Sequence, residues 1–364
     1  MNGRISRITG RIAVAALAAA ATLSLGCVPA GADPTAAPVA PSAPGAPVAP
    51  GVSVPDFKTE DGSYIKSVAA TDSRHVVFTV YSAAMNQTFP VDVQRPADTS
   101  EPAPTLYLLN GAGGGVDAAT WQLRTDALDF LSDKNANVVQ IIGGAFSWYT
   151  DWMQADKSLG VNKWSTYLGK ELPPLMDAAL GSTGNNAIAG ISMAGLPVLN
   201  SVIFNPGLFK SAAVYSGFFQ TTTPLAREAI KMVTELYGGG KVENMWGPEG
   251  GPMWAANDPT LNAEKLRGTN LFISTGNGIP GAFDMPGARG RMEKPEDTAK
   301  TVALGSLIEA NCELSTVILQ KRLESMRIPA TFEFRSSGTH IWGYWQDDLK
   351  ASWPVLAQGL FPPA

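Results

Sequence analysis

The chain has 364 residues, 45% of them hydrophobic and 16% charged, and its formal net charge at pH 7 is −5. This length suits one large domain or two ordinary ones, and the apolar share excludes wholesale disorder. The acidic balance excludes nucleic-acid binding through a basic surface. With two histidines and two cysteines the chain offers few soft-metal ligands, so we expect no metal and no cofactor.

The first 32 residues have the pattern of an export signal. Three arginines precede an apolar run over residues 12–25, and small residues end the segment at Ala32, where a signal peptidase would cleave. Cys27 offers a lipoprotein alternative, although the residues before it match a lipobox poorly. Cleavage would leave Cys312 as the only cysteine, which excludes an internal disulfide. We expect Cys312 to be a small buried side chain.

The composition changes twice after Ala32. Residues 33–54 are rich in alanine and proline, which favours an extended spacer without a core. From residue 55 to the end the composition is globular. We therefore expect a signal peptide over residues 1–32, a disordered linker over residues 33–54 and one domain over residues 55–364, in a protein secreted to the cell envelope or beyond it.

Short apolar strands alternate with helical patterns along this domain. Because parallel sheets bury both faces of their strands under helices, the alternation predicts an α/β fold with a mostly parallel sheet. The pair Pro173-Pro174 falls inside one helical pattern and predicts a kink or a break. The predicted strands cover residues 76–81, 88–94, 105–109, 138–142, 186–189, 212–215, 270–274 and 330–335, and the main predicted helices cover residues 126–132, 163–180, 196–204, 224–237, 295–326 and 345–358.

Residues 190–195, Gly-Ile-Ser-Met-Ala-Gly, lie between a predicted strand and a predicted helix. A strand, a tight turn with a central serine and a helix make the layout of a nucleophile elbow. Small residues let the backbone turn sharply, and Ser192 would lie near the helix N-terminus and its free N–H groups. Ala194 replaces the last glycine of the strict motif, and a Gly/Ser-rich turn without chemistry is the alternative.

Of the two histidines, His340 follows the last predicted strand, at the end where open parallel sheets build their sites, whereas His75 precedes the first predicted hairpin. Imidazole is the usual base for serine near neutral pH, so His340 is the candidate base, with a lone surface histidine as the alternative. The acid stays open. Standard topology favours Asp284, on the loop after the strand at residues 270–274. Nothing in the local pattern separates it from Glu309 on the next helix, and either carboxylate would stabilise a protonated ring.

A glycine-rich loop at residues 110–115, Asn-Gly-Ala-Gly-Gly-Gly, follows the first strand of the predicted parallel sheet. Glycines let backbone N–H groups face a reacting carbonyl, as oxyanion-hole loops do. A phosphate-binding loop is excluded, because the glycine spacing does not complete G-x-G-x-x-G and no Lys-Ser/Thr pair follows.

Four segments carry a resemblance to a known family. Residues 106–111 (LYLLNG), 143–152 (GGAFSWYTDW), 190–195 (GISMAG) and 338–345 (GTHIWGYW) are similar, in this order, to segments of the antigen 85 family of mycolyltransferases. The resemblance implies an α/β-hydrolase fold and transfer of mycolyl groups from trehalose monomycolate to a second such molecule or to cell-wall arabinan. It implies a mycolyl glycolipid and a sugar acceptor as partners, at the lipid layer of the cell envelope.

The resemblance also implies roles for single residues. The chain departs from the family at residues 110–113, where Asp-Gly-Leu-Arg reads Asn-Gly-Ala-Gly, so an acid and an arginine of the sugar site are missing. The catalytic residues fall on Ser192, Glu309 and His340, the oxyanion-hole amides on Ala112 and Met193, and the substrate contacts on Asn110 and Trp342.

The sequence therefore favours a secreted serine acyltransferase that works through a Ser192 acyl-enzyme. One alternative is a secreted carboxylesterase that uses water as the acceptor. Another is a non-catalytic adhesion or carbohydrate-binding protein on the same scaffold, against which the presence of all three catalytic residue types argues.

Overall fold

The computed structural model describes residues 52–289 and 297–363. The predicted signal peptide and nearly all of the predicted linker lie outside these residues. Val52 is buried against the hydrophobic core, so core contacts begin three residues before the expected domain boundary.

A nine-stranded sheet forms the centre of the described chain. Its order is β1-β2-β3-β5-β4-β6-β7-β8-β9, in which the neighbours from β1 to β5 pair antiparallel and those from β5 to β9 pair parallel. This mostly parallel sheet confirms the predicted fold class. The strands are β1 (Tyr64–Ala70), β2 (His75–Ser82), β3 (Gln87–Gln94), β4 (Thr105–Leu109), β5 (Asn137–Ile141), β6 (Asn186–Ile191), β7 (Phe209–Tyr215), β8 (Asn270–Thr275) and β9 (Thr331–Phe334).

Helices pack on both faces of the sheet. Successive side chains of β4 show this division, because Leu106 and Leu108 belong to one core cluster while Tyr107 and Leu109 belong to the other. The α-helices of the described residues are α1 (Trp121–Arg124), α2 (Ala127–Leu131), α3 (Trp164–Thr166), α4 (Leu172–Leu180), α5 (Gly195–Phe204), α6 (Pro224–Lys231), α7 (Val242–Trp246), α8 (Pro252–Ala256), α9 (Thr298–Ser325) and α10 (Trp342–Leu360).

The predicted hairpin is present as β2 and β3, which pair in register from His75 opposite Gln94 to Ser82 opposite Gln87. The strand β1, which pairs with β2, was not predicted. Its side chains are mostly half-buried or exposed apart from Ile65, so it lacks the clear alternation by which a strand is recognised.

The α-helical hydrogen bonding that was predicted to kink or break at Pro173-Pro174 changes directly before these prolines. A π-helical turn, Tyr167–Glu171, links α3 to α4, and the prolines lie in the first turn of α4. Proline is tolerated there because its missing N–H would have no intrahelical partner. The helical path therefore continues from Trp164 to Leu180.

The helix α9 is, among the described residues, the one long and apolar enough to cross a membrane by length and composition. In the structure it is a core helix, with Leu319 and Leu323 fully buried in the sheet-facing core. Cys312 on the same helix is a free, buried thiol, as predicted. The helix also carries Glu309 toward the carboxyl end of the parallel strands.

Candidate active site

Ser192 lies at the sharp turn between β6 and α5. Its φ is +54°, the left-handed region that non-glycine residues seldom adopt and that nucleophile elbows use. The turn is closely packed: a Cβ on Gly190 would lie 2.8 Å from the Cβ of Ala194, and one on Gly195 would lie 2.7 Å from the Cα of Gly217. These glycines let the strand and the helix approach, which holds the serine in its strained position.

His340 lies beside Ser192. Its Nε2 is 2.8 Å from Ser192 Oγ, and its Nδ1 is 2.8 Å from Glu309 Oε2. The indole of Trp345 packs edge-on against the imidazole, with ring centroids 4.9 Å apart. His75, by contrast, begins β2 and bonds to Asp72 and Gln94. The structure thus brings Ser192, His340 and Glu309 into one hydrogen-bonded chain.

Glu309 is fully buried, yet its hydrogen-bond donors and the neighbouring positive charges favour its ionised form. Its Oε1 accepts hydrogen bonds from Ser216 Oγ at 2.6 Å, from the Gly276 amide at 2.6 Å and from Arg335 Nη2 at 3.1 Å. Burial alone would raise its pKa, but the hydrogen bond and charge of His340, the charge of Arg335 and the Ser216 hydroxyl lower the pKa below its ordinary value. A carboxylate in this state stabilises a protonated imidazole.

Asp284, the other candidate acid, has different partners. Its carboxylate accepts from the hydroxyls of Thr339 and Tyr344 and from the Gly281 amide. These bonds tie the loop after β8 to the segment around His340. The geometry therefore favours Glu309 over Asp284 as the partner of the imidazole.

The loop after β4 lies directly against the serine. A Cβ on Gly111 would lie 3.6 Å from Ser192 Cβ. The loop is held from behind, because the Phe146 amide donates to the Ala112 carbonyl at 2.7 Å and the Gly143 amide donates to the Gly114 carbonyl at 2.9 Å. Ala112, on this loop, and Met193, in the turn directly after Ser192, are the residues expected to supply the oxyanion-hole amides.

Asn110 and Trp342, the two residues expected to contact substrate, are both buried. Asn110 is fully buried, and its amide nitrogen donates to the Ile141 carbonyl at 3.2 Å. Trp342 is 8% exposed and packs edge-on against Trp121 and Trp345. In this conformation both side chains mainly support the walls of the site, and direct contact of either with a sugar remains a prediction.

The sequence analysis did not identify Ser216 or Arg335 as part of the site. Ser216 has a φ of +53° and uses its hydroxyl both to donate to Glu309 and to accept from Trp345 Nε1 at 2.9 Å. No motif marks Ser216 or Arg335, because the ends of β7 and β9 meet Glu309 only in the folded chain. The position of Ser216 directly after a strand was the one available signal.

Glu309, Cys312 and His340 place potential metal-ligand atoms within 4.8 Å of one another. The donor set fits a metal poorly. Burial and then the charge of Glu309 raise the pKa of the Cys312 thiol, whereas zinc needs the thiolate. Both carboxylate oxygens of Glu309 already accept hydrogen bonds from the protein.

Relatives of known name share this sequence pattern. A family model described as "Putative esterase" matches residues 82–356. Ag85A of Mycobacterium tuberculosis, named a diacylglycerol acyltransferase/mycolyltransferase, is 31% identical over 266 residues, which cover 71% of this chain and 74% of that relative. Ag85B of Mycobacterium leprae, of the same name, is 30% identical over 288 residues, which cover 77% of this chain and 83% of that relative.

Solved structures support the fold. MPT51 (FbpC1) of Mycobacterium tuberculosis matches with a TM-score of 0.65 at 24% identity, covering 80% of this chain and 100% of its own. An S-formylglutathione hydrolase from Agrobacterium tumefaciens matches with a TM-score of 0.60 at 16% identity, covering 81% and 99%. At these identities the likeness concerns the α/β-hydrolase fold alone.

The sequence matches carry the family assignment further than the structural ones. The family model spans well over half of the chain, and the named relatives are aligned over more than two thirds of their own length. Their names describe enzymes of acyl transfer, and the family model describes esterases. The chain therefore belongs to the esterase family and, within it, to the antigen 85 family of mycolyltransferases.

Proposed function

We propose that this protein is a serine acyltransferase that takes a mycolyl group from trehalose monomycolate, holds it on Ser192 and passes it to a second trehalose monomycolate or to cell-wall arabinan. The observation that carries the proposal is the hydrogen-bonded chain from Ser192 through His340 to a buried, ionised Glu309, in a chain about 30% identical to named mycolyltransferases.

Acylation begins at the Ser192 hydroxyl. As its oxygen attacks the ester carbonyl, His340 Nε2 accepts the proton, and Glu309 stabilises the resulting imidazolium through Nδ1. The amides of Ala112 and Met193 donate to the developing oxyanion. His340 then protonates the departing sugar oxygen, which leaves the acyl group on Ser192 as an ester.

Deacylation reverses these roles. A sugar hydroxyl enters, His340 removes its proton, and the hydroxyl oxygen attacks the Ser192 ester. Collapse of the tetrahedral intermediate returns the proton to Ser192. Each half-reaction needs the same base and the same oxyanion amides, and no cofactor takes part.

Product analysis tests this function. The purified protein is incubated with trehalose monomycolate, alone and with arabinan or diacylglycerol as acceptor, and the lipids are resolved. The proposal expects trehalose dimycolate and acylated acceptor, both lost in Ser192→Ala. Release of free mycolic acid without acylated acceptor, or no turnover, would contradict the transferase assignment.

Hydrolysis is the second candidate, and the substitutions at residues 110–113 favour it. Asn110 replaces an acid and Gly113 an arginine of the family's sugar site, and the Asn110 side chain is buried. A site with fewer sugar contacts would retain an acceptor less well and would let water reach the acyl-enzyme. The ratio of free acid to acylated acceptor distinguishes the two functions.

We also propose that the protein is exported by a signal peptide over residues 1–32 and works in the cell envelope at the end of a linker over residues 33–54. The arginines, the apolar run and the small residues before position 33 support this proposal. N-terminal sequencing of the exported protein should begin at Asp33, whereas a lipid-modified Cys27 would show that the lipoprotein alternative holds.

A further inference from the structure

A buried ion pair between Arg335 and Asp348 lies next to the hydrogen-bonded chain of Ser192, His340 and Glu309. It is not itself part of that chain. Arg335 follows β9, five residues before His340, and Asp348 lies on α10, after His340. Arg335 Nη1 donates to Asp348 Oδ2, while Arg335 Nη2 donates to Glu309 Oε1 at 3.1 Å. The Asp348 side chain is 2% exposed and that of Arg335 is 13% exposed. One guanidinium therefore joins two buried carboxylates.

This pair also closes the segment that carries His340. The Arg335 amide donates to the Thr275 carbonyl of β8 at 2.9 Å, which fixes the start of the segment to the sheet. Asp348 fixes its other end through the first two turns of α10. Between them the guanidinium lies 5.3 Å from the ring centre of Tyr344. Arg335 and Asp348 thus form the base of a loop that has the imidazole near its middle.

The charges around this base are nearly balanced. Burial disfavours a charged guanidinium, but Asp348, Glu309 and Glu333 raise the pKa of Arg335 above its ordinary value, so it stays positive. With both buried carboxylates ionised, the group has one excess negative charge, which a protonated His340 would neutralise. Tyr344 and Cys312 also face the group, and both stay neutral because burial raises their pKa values.

We propose that Arg335, anchored by Asp348, is a positioning residue that orients Glu309 toward His340 and holds the His340 loop closed. Its action is on Oε1, the oxygen that His340 does not use, so Oε2 remains aimed at the imidazole. The inference rests on the proposed function only for the role of Glu309 and His340, and it is independent of the acyl donor.

The test compares Arg335→Met, Arg335→Lys and Asp348→Asn by hydrolysis of a short aryl ester and by labelling with a fluorophosphonate. We expect Arg335→Met to lower kcat about a hundred-fold with KM nearly unchanged, because small misplacements of catalytic groups have effects of this order. Arg335→Lys should retain about a tenth or more of wild-type kcat, because lysine keeps a positive charge beside the Glu309 carboxylate. Arg289→Met is the matched control, since Arg289 forms an exposed pair with the neighbouring Asp347, and its kcat should stay within about twofold.

The pH profile separates positioning from general structural support. Burial raises the pKa of Asp348 to about 6, against the opposing charge of Arg335. On the acid side, protonation of Asp348 should release Arg335, so the slope of log kcat against pH steepens as the pH falls through about 6. Asp348→Asn has no carboxylate to protonate and should reduce that slope. An unchanged slope would contradict the proposal.

A spectroscopic measurement does not depend on turnover. The chain has two histidines, so in a His75→Gln background the downfield proton of the bond between His340 and Glu309 can be followed by proton NMR. Arg335→Met should broaden or shift this signal, and Arg335→Lys should recover it. A double variant, Arg335→Met with Asp348→Asn, removes the buried unpaired charge and protects the fold. If the double variant regains wild-type kcat, or if Arg335→Met leaves both signal and kcat unchanged, the positioning role is wrong.

Discussion

The substitution Glu309→Gln removes the buried negative charge beside His340 and leaves the shape of the side chain nearly unchanged. The carboxylate oxygen and the imidazole nitrogen are 2.8 Å apart, and the side chain of Glu309 is fully buried. With the charge centres about 4 Å apart and an effective dielectric constant of about 20, the carboxylate stabilises an imidazolium by about 4 kcal/mol. Loss of that interaction corresponds to a decrease in rate of about a thousand-fold.

A second effect acts in the same direction. The glutamine amide must turn its NH2 group either toward His340 Nδ1 or toward the Gly276 amide and the Ser216 hydroxyl, all of which are donors to Glu309. An NH2 group turned toward His340 opposes the Nδ1 donor and disturbs the ring tautomer, which in a related catalytic arrangement lowers kcat about ten-thousand-fold. An NH2 group in the Oε1 position opposes the donors of Gly276, Ser216 and Arg335. We therefore expect a loss of about 10³ to 10⁴ in kcat/KM.

Steady-state hydrolysis of an aryl ester measures this loss, and circular dichroism checks that the fold is kept. Asp284→Asn is the control, because its carboxylate binds Thr339 and Tyr344, and its rate should change by less than about tenfold. A folded Glu309→Gln variant within tenfold of wild type would refute the reasoning. So would a loss in Asp284→Asn as large as that in Glu309→Gln.

Three further predictions concern stability and reactivity. Gly195→Ala should lower the free energy of unfolding by about 1–3 kcal/mol in urea titrations despite the better helix propensity of alanine, because the new Cβ meets Gly217 and Val214 at 2.7 Å; equal stability would contradict this. Burial raises the pKa of Asp92. The protonated carboxyl therefore stabilises the fold below the unfolded-state pKa of about 4, and this contribution is lost as the pH rises. Asp92→Asn should unfold at a higher urea concentration than wild type at pH 7 and at the same urea concentration at pH 3. Cys312 should resist iodoacetamide in the native protein and react once unfolded, as read by peptide mass spectrometry, because its thiol is buried and its pKa raised.

Eight of the nine strands in the described residues, and the elbow, were predictable because their signals are local. The strand Thr105–Leu109 was predicted residue for residue, since a buried strand is a continuous apolar run between breakers. Residues 190–195 showed their turn through the small residues that the strand and helix require. The position of His340 directly after the last predicted strand then placed it at the correct end of the sheet.

What could not be predicted depends on contacts between distant segments. Asp284 and Glu309 are equivalent by local pattern, and only the packing of α9 against β8 directs Glu309 to the imidazole. Likewise, Asn110 lies on a glycine-rich loop that suggests exposure, yet the loop folds over it and its amide bonds to Ile141. The pairing of Arg335 with Asp348 follows from the position where α10 begins, which no motif encodes.

Intact-protein and peptide mass spectrometry after brief reaction with trehalose monomycolate tests the central claim most directly. The account predicts a covalent acyl adduct on the peptide that contains Ser192, which forms in the wild-type protein, is absent from Ser192→Ala, and disappears when an acceptor sugar is added. An unmodified Ser192 under turnover conditions, or an adduct on a different residue, would contradict it.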